Sequence, residues 1–179
     1  MGKRERLWVL RGLLVAACAA TASAACARTA GSKTPKQIVR NFLENVRSGR
    51  NPDASALYFA PFVRAHQVQS EDEQTLIRTP ADYAAHVREF LTTFGAFSFS
   101  IENLLAEKNL VHVRWRQVGR HIGSLNGEKP TGAKLVELTS AVYRVEEGKI
   151  VEYWLQTDRK GMEIQIAHAT AAGPCSGTE

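Results

Sequence analysis

The stretch that decides the fold runs from Glu107 to Asp158 and reads EKNLVHVRWRQVGRHIGSLNGEKPTGAKLVELTSAVYRVEEGKIVEYWLQTD. Three runs within it show alternation of two sets of side chains: Leu110–Val118, Leu135–Val145 and Ile150–Asp158. Alternation with a period of two places successive side chains on opposite faces of a sheet. The stretch therefore predicts three consecutive strands of an antiparallel meander.

The joints between these runs predict two kinds of connection. The segment Glu146–Lys149 is short and polar and contains Gly148, which favours a hairpin whose last loop residue has a positive φ. The segment Gly123–Gly132 contains three Gly and one Pro, and it is too long and too polar for a tight turn. We expect this second segment to form a loop at the rim of the sheet.

Start and stop signals for helices lie upstream. Thr34–Gln37 reads as a capping box with proline at the first helical position, and Gly49 is placed to end that helix. Asn51-Pro52 predicts a short second helix through Phe59, closed by Pro61. Thr79–Asp82 opens a third helix, which Gly95 follows. An apolar stripe on the third helix must be buried, and its members are Tyr83, Val87, Phe90, Leu91 and Phe94.

The order of these elements predicts the fold class. Helices come first and strands follow, beginning with the alternating Phe97, Phe99 and Ile101, which is typical of an α+β domain. We expect three helices across the concave face of a curved, mostly antiparallel sheet that encloses a pocket. The polar segment between residues 63 and 79 is interpreted as a lid-like loop. The predicted domain covers residues 34–169, with a helical turn near its end and a disordered tail at 170–179.

The chain has 179 residues and a formal net charge of +5. Residues 1–27 carry Lys3, Arg4, Arg6 and Arg11 against Glu5, a net charge of +3, which leaves about +2 for the remainder. That charge is too small to indicate nucleic-acid binding. We therefore expect no nucleic acid among the partners.

Residues 1–27 have the order of an export signal: a basic start, an apolar segment and a run of small residues. Two processing routes compete. Val15–Cys18 resembles a lipobox, in which Cys18 becomes a lipidated N-terminus that anchors the protein to a membrane. The segments Ala22–Ala24 and Ala25–Ala27 offer ordinary signal cleavage instead. Both routes predict a protein exported to the periplasm or the extracellular space.

The three cysteines, Cys18, Cys26 and Cys175, lie outside the predicted domain. No core disulfide is therefore expected. The sequence shows no His/Cys metal cluster, P-loop, Gly-rich dinucleotide loop or Ser/His/Asp triad. We expect no metal and no cofactor, so any chemistry would be acid/base chemistry by side chains.

One strand pattern suggests a site. Glu152, Trp154 and Asp158 alternate with apolar neighbours and share one strand face. A tryptophan among carboxylates is misplaced on a solvent-facing surface but suits the wall of a ligand pocket. A carboxylate beside an apolar wall has a raised pKa and can act as a general acid or base. The alternative for Asp158 is that it caps the turn into the C-terminal segment.

Two histidines are further candidates. His121 lies at a strand end between Gly119 and Gly123, where small neighbours let a ligand or backbone approach closely. It could donate to a carbonyl oxygen or transfer a proton. The alternative is a strand-end histidine bound to a backbone carbonyl. His66 could face the same cavity from the lid side, and its alternative is a solvated loop residue. His86 carries no signal in the sequence.

The ordered motifs resemble the SnoaL-like polyketide cyclases, also called ester cyclases. Their G-x-H-x-G segment appears at Gly119–Gly123, their P-[PT]-G segment at Pro130–Gly132, and their last strand and turn at Glu147–Gly161. The match extends from about Pro35 to Ile166. The resemblance implies the nuclear-transport-factor-2-like (NTF2-like) cone, whose superfamily includes ketosteroid isomerase.

The resemblance also implies roles for residues. Asp158 matches the family's acid/base by motif, and His121 or Tyr143 could donate to a developing oxyanion. We include Trp115 among the pocket residues and a small hydrophobic molecule as the partner, and we consider the sheet a candidate homodimer surface. One departure is Ala141, which replaces an acidic residue of many relatives.

The motifs and the resemblance together predict two alternative functions. One is a cofactor-free cyclase or isomerase that removes a proton beside a carbonyl of a polyketide-like compound. The other is a non-catalytic exported or lipid-anchored module that binds a small apolar ligand.

Overall fold

The structure is a computed structural model that describes residues 33–125 and 127–172. The first helix, α1, spans Pro35–Phe42 and continues as one π-helical turn over Leu43–Arg47. Thr34 caps α1: its side chain accepts from the Gln37 amide, and the Gln37 side chain accepts from the Thr34 amide. Gly49 follows with φ of +80°. The predicted capping box and the glycine stop are confirmed.

A second N-terminal element is a short 3₁₀ helix over Pro52–Leu57. The longer helix α2 spans Pro80–Phe94, capped by Thr79 and Asp82 and followed by Gly95 with φ of +66°. The predicted bounds of α2 are therefore confirmed. A C-terminal helix, α3, spans Arg159–Ala171, where the sequence predicted no more than a helical turn.

Six strands form one sheet: β1 (Phe59–Gln67), β2 (Gln74–Arg78), β3 (Ser98–Glu107), β4 (Leu110–Arg120), β5 (Lys134–Glu146) and β6 (Lys149–Thr157). Their spatial order is β2-β1-β6-β5-β4-β3. All neighbouring pairs are antiparallel except β1 and β6, which are parallel. The predicted meander is confirmed as β3 to β6, and Glu147 and Gly148 turn the β5–β6 hairpin with φ of +48° and +77°.

Helices α1 and α2 pack on the inner face of this curved, unclosed sheet. Phe42 of α1 is the centre of the aromatic core, with ring centroids 4.9 Å from Phe59, 5.3 Å from Tyr83 and 5.6 Å from Tyr143. All four side chains are at least 96% buried. Removing a large buried aromatic side chain typically costs about 3–5 kcal/mol, so this cluster fixes the helices to the sheet. The predicted α+β cone is confirmed.

Two local predictions about residues 51–79 were wrong. The second helix ends at Leu57, and the chain then enters β1 at Phe59. The predicted lid-like loop is instead the β1–β2 hairpin, in which Val63 pairs with Arg78 and Gln67 with Gln74. The strand β2 was missed because it is an edge strand of mostly exposed residues. Its two apolar side chains, Leu76 and Ile77, are adjacent, so it lacks the alternation that marks a strand in the sequence.

The two glycines of the G-x-H-x-G segment admit the end of α2. A Cβ at Gly119 would lie 2.7 Å from the Phe94 carbonyl oxygen, and one at Gly123 would lie 2.6 Å from that of Thr92. The amides of Ile122 and Gly123 both donate to the Thr93 carbonyl, at 2.9 and 3.0 Å. The backbone at the end of α2 therefore makes the close approach that these two glycines allow. In the part of the chain that the structure describes, no helix is long and apolar enough to cross a membrane.

Candidate functional site

The inner face of β4 and β5 changes character along its length. Its inward side chains are apolar at one end, where Val111 pairs with Tyr143 and Val113 with Ala141. They become polar at the other end, where Trp115 pairs with Thr139, and Gln117 with Glu137. All eight of these residues are buried. Since burying polar groups costs free energy unless they are partnered, the polar end of this face is a candidate functional site.

An ion pair crosses this polar end. Arg47 Nη2 lies 2.9 Å from Glu137 Oε1, and both side chains are only 6% exposed. Thr139 Oγ1 donates to the same carboxylate oxygen at 3.2 Å. The Arg47 guanidinium also lies 4.7 Å from the centroid of the Phe90 ring. The π-helical turn that holds Arg47 aims it at the sheet, and such turns occur frequently at functional sites.

A cavity of about 280 Å³ lies beside this pair. It is enclosed by the π-helical turn, the β1–β2 hairpin, α2, β6 and the first residue of α3. Its lining residues are Arg47, Gln67, Arg78, Tyr83, His86, Tyr153, Leu155 and Arg159. Three of these lining residues are arginines, and none of the lining residues that the structure describes is acidic. The cavity is therefore small, partly aromatic and positively charged.

Burial sets the protonation of the uncharged groups in this cavity. It raises the pKa of Tyr153 to about 12 and that of Tyr83 still higher, so both phenols keep their protons. Burial, together with the charges of Arg47 and Arg78, lowers the pKa of His86 to about 4. At neutral pH the wall thus presents two phenol O–H donors, a neutral imidazole and guanidinium groups.

Several buried polar atoms at this end have no hydrogen-bond partner within residues 33–125 and 127–172. They are Arg47 Nη1, Arg78 Nε, Trp115 Nε1, and the amide nitrogen and oxygen of Gln117. A buried unsatisfied donor or acceptor typically costs about 1–3 kcal/mol. Atoms of this kind are usually satisfied by an ordered water or by a ligand.

Three predicted site residues lie on the inner side of the sheet. Trp115 is fully buried under Arg47, whose guanidinium lies 5.5 Å from its ring centroid. Tyr143 is buried in the apolar core, and its hydroxyl has no partner within the described residues. His121 is fully buried just beyond β4, with Nδ1 3.2 Å from Thr131 Oγ1. None of the three lines the 280 Å³ cavity.

Glu152, Trp154 and His66 lie on the opposite, outer face, so the prediction that they face the helix-covered pocket was wrong. A bulge in β6 decides which of its side chains face inward. Val145 pairs with Ile150 but the preceding residue, Arg144, pairs with Glu152, so one extra residue lies between the two pairs in β6. Tyr153 and Leu155 therefore point inward, and Glu152 and Trp154 point outward.

Glu152 is nevertheless only 5% exposed, because basic side chains cover it. It accepts from Arg64 at 2.9 Å, from His66 at 3.0 Å and from Arg144 at 2.8 Å. The Trp154 ring stacks on His66 with centroids 5.1 Å apart. Burial alone raises the pKa of Glu152, but the hydrogen bonds from these three residues outweigh it and hold the pKa below its usual value. The cluster joins β1, β5 and β6 across the outer face.

Asp158 begins α3 as its N-cap, and its carboxylate accepts from the Gly161 amide at 2.8 Å. The side chain is exposed at the rim of an open outer-face cleft of about 680 Å³. The expectation that it faces the helix-covered pocket was wrong, because β6 ends at Thr157 and the chain turns into α3. The contacts of Asp158 and His121 are separate, so the structure does not bring the two predicted catalytic residues together.

Four buried or cavity-lining residues were not predicted from the sequence: Arg47, Glu137, Gln117 and His86. Signals for two of them were present. Arg47 follows Leu43 by one helical turn and so continues the buried stripe of the first helix. Glu137 occupies the same strand phase as Leu135, Thr139 and Ala141, all of which point inward. A charged residue in phase with buried neighbours indicates a site.

A helix-covered cone with a polar inner end and a small interior cavity defines an NTF2-like protein. The family model for SnoaL-like polyketide cyclases matches residues 37–166. The chain therefore belongs to the SnoaL-like polyketide cyclase family, as the motifs indicated. Membership suggests a cyclase or isomerase, or a ligand-binding domain.

Solved structures support the fold. A candidate polyketide cyclase from Acidithiobacillus ferrooxidans is 24% identical with a TM-score of 0.67, over 78% of this chain and 99% of that one. IdmH, a candidate polyketide cyclase from Streptomyces antibioticus, is 22% identical with a TM-score of 0.62, over 75% and 99%. An NTF2-like protein from Burkholderia thailandensis is 22% identical with a TM-score of 0.58, over 77% and 98%. No curated protein matches the chain.

Proposed function

We propose that the protein is a cofactor-free acid/base cyclase or isomerase that acts on a hydrophobic carbonyl compound in the helix-covered cavity. The observation that carries the proposal is the buried ion pair of Arg47, which lines the cavity, and Glu137, which contacts Arg47 from behind the cavity wall. Removing two charges from water is expensive, so a buried ion pair adds little stability over apolar side chains and is a candidate functional group. The names of the similar candidate polyketide cyclases favour a polyketide-like substrate.

The residues suit proton removal beside a carbonyl. Glu137 takes the proton from the carbon next to the carbonyl, and the electron pair moves to the carbonyl oxygen. Arg47 and Tyr83 donate hydrogen bonds to the resulting enolate oxygen, which is where charge develops. In a cyclase the enolate carbon attacks a second carbonyl of the same molecule, and Glu137 returns its proton to the new alkoxide. In an isomerase the proton returns to a different carbon.

The test is exchange of α-protons for deuterium in 1-tetralone, a neutral bicyclic ketone, followed by proton NMR in D₂O. We expect the full chain to accelerate exchange and Glu137→Gln to lose at least about 100-fold, the lower range for a general base. Asp158→Asn is the matched carboxylate-to-amide control and should keep the rate. Circular dichroism checks that both variants fold. No acceleration by the wild-type protein, or full exchange by Glu137→Gln, contradicts the proposal.

The second candidate is a non-catalytic binding module. It is favoured by Glu137 Oε1, which already accepts from both Arg47 and Thr139, and by Ala141, an inward residue at a position where the family resemblance implies an acid. This function predicts saturable binding of 1-tetralone with no exchange above the buffer rate. Isothermal titration calorimetry beside the exchange assay separates the two candidates.

We further propose that the chain is exported, on the basis of the basic, apolar and small-residue order of residues 1–27. These residues, including the predicted lipidation site Cys18, lie outside the described part of the structure, as do residues 173–179 of the predicted tail. Mass spectrometry of the mature N-terminus tests the two routes. A lipid-modified Cys18 supports anchoring, whereas a free amino group at Ala25 or Arg28 supports ordinary cleavage.

The homodimer through the sheet also remains a proposal. The outer face supports it with Leu105, which is 62% exposed on edge strand β3. Light scattering after size-exclusion chromatography measures the mass. We expect a dimer in the wild-type protein and a shift towards monomer for Leu105→Glu, with a monomeric wild-type protein as the contrary result.

A further inference from the structure

The charge of the cavity wall is unbalanced. Arg47, Arg78 and Arg159 line it, and none of its described lining residues is acidic. Glu137 lies behind the wall and neutralises only Arg47. Arg78 and Arg159 have no carboxylate within 4.0 Å among the described residues. The wall therefore has a net positive charge that an anionic ligand would balance.

Two of the guanidinium groups also keep free donors. Arg47 Nη1 and Arg78 Nε are buried, and in the described chain neither has an acceptor. The Arg47 side chain is more than nine-tenths buried, so its free N–H cannot be satisfied by turning into bulk water. A planar guanidinium matches a carboxylate or a phosphate, since each can accept two parallel N–H···O bonds.

The pKa of His86 is affected by the same positive charges. Burial is the main cause of its lowered pKa, and the charges of Arg47 and Arg78, which line the same cavity, lower that pKa further. The remaining wall is suited to a non-polar body: Leu155 and the rings of Tyr83 and Tyr153 line it. Its volume of about 280 Å³ is just below the usual range of about 300–1,000 Å³ for ligand pockets. The ligand must therefore be small.

We infer that the natural ligand of this cavity is a small carboxylate of one or two rings, whose carboxylate binds Arg78 and one of the two N–H groups on Arg47 Nη1 while its body contacts Tyr83 and Leu155. The inference rests on the proposed site and narrows its substrate class from neutral carbonyl compounds to keto acids. The carboxylate positions the molecule, so that its carbonyl lies next to the Arg47–Glu137 pair.

The test is calorimetric titration of the full chain with 4-oxo-4-phenylbutanoate and with its methyl ester. The two probes share the ketone and the ring and differ only in the charge. We expect the acid to bind at least about 10-fold more tightly than the ester, the effect of one charge-assisted contact. Arg78→Met should remove this preference. Arg50→Met, which changes an exposed arginine outside the cavity, is the control and should keep the preference.

Two results overturn the inference: equal binding of acid and ester, or an unchanged preference in a folded Arg78→Met variant. Inorganic phosphate is the third probe. If it binds as tightly as the acid and competes with it, the cavity is a general anion site and the inference is wrong. These outcomes are independent of α-proton exchange in the neutral 1-tetralone, so failure of the carboxylate preference and failure of the proposed catalysis are distinguishable.

Discussion

Arg47 and Glu137 are 90 residues apart in the chain, and their side chains meet at 2.9 Å in the interior of the cone. The contact ties the π-helical turn after α1 to the inner face of β5. Its Coulomb energy is opposed by the desolvation of two charges, so such pairs are often no more stabilising than well-packed apolar residues. The pair is therefore better explained by function than by stability.

Breaking the pair on one side should be strongly destabilising. Arg47→Met or Glu137→Leu leaves an uncompensated buried charge, and each should lower the free energy of unfolding by about 3–5 kcal/mol. The double variant leaves no charge, so its loss should be smaller than the sum of the single losses. Urea unfolding of all four proteins measures the cycle. Additive losses would mean that the two side chains do not interact.

The outer-face cluster should contribute stability that depends on pH. Its contacts lower the pKa of Glu152, so the contribution is complete above the pKa of the unfolded chain and is lost as the pH falls through the lower pKa of the folded state. We expect Glu152→Gln to destabilise the protein at pH 7 and to have a smaller effect at pH 3. Glu102→Gln, at a more exposed carboxylate paired with Arg114 and Arg116, is the control. It should lose at most about 1 kcal/mol. A Glu152→Gln effect that does not change with pH would contradict this account.

His86 should also make the protein less stable as the pH falls, but for a different reason. Its pKa is 6.5 in the unfolded reference and about 4 in the fold, so the unfolded chain binds the extra proton between these values. Stability should be complete above pH 6.5 and fall towards pH 4, by up to about 3 kcal/mol. The variant His86→Gln should lack this part of the acid loss. Urea unfolding from pH 4 to 7 gives the difference, and parallel curves for both proteins would contradict the burial of a neutral His86.

Asp158 should behave as a helix cap. Asp158→Ala removes the acceptor for the Gly161 amide and should cost about 1 kcal/mol of stability, while Asp158→Asn keeps a side-chain acceptor and should cost less. Thermal unfolding measures both. Neither variant should slow exchange of 1-tetralone protons. If Asp158→Asn loses exchange as completely as Glu137→Gln, the acid/base residue is Asp158 and the cavity assignment is wrong.

Much of the fold could be predicted because local signals agreed with tertiary structure. The capping residues Thr34 and Thr79 begin their helices as expected, and the alternating runs Leu110–Val118 and Leu135–Val145 form strands β4 and β5. The hairpin at Gly148 is also correct. In each case a short-range preference decides the structure without help from distant residues.

The site was harder to predict for two physical reasons. A bulge near Val151 shifts the inward phase of β6, and a one-residue shift exchanges the faces of every later side chain. Glu152 and Trp154 therefore lie outside, although their neighbours suggested a pocket. In addition, the ion pair joins residues that are far apart in the sequence, and the charge of Arg47 says nothing about its burial until the sheet covers it.

A crystal structure of the full chain grown with saturating 1-tetralone tests most directly whether the cavity beside Arg47 is the functional site. We predict the ketone between Tyr83 and Leu155, with its carbonyl oxygen at about 3 Å, hydrogen-bond distance, from Arg47. Density for the ketone in the outer-face cleft beside Asp158, with none beside Arg47, would contradict the account.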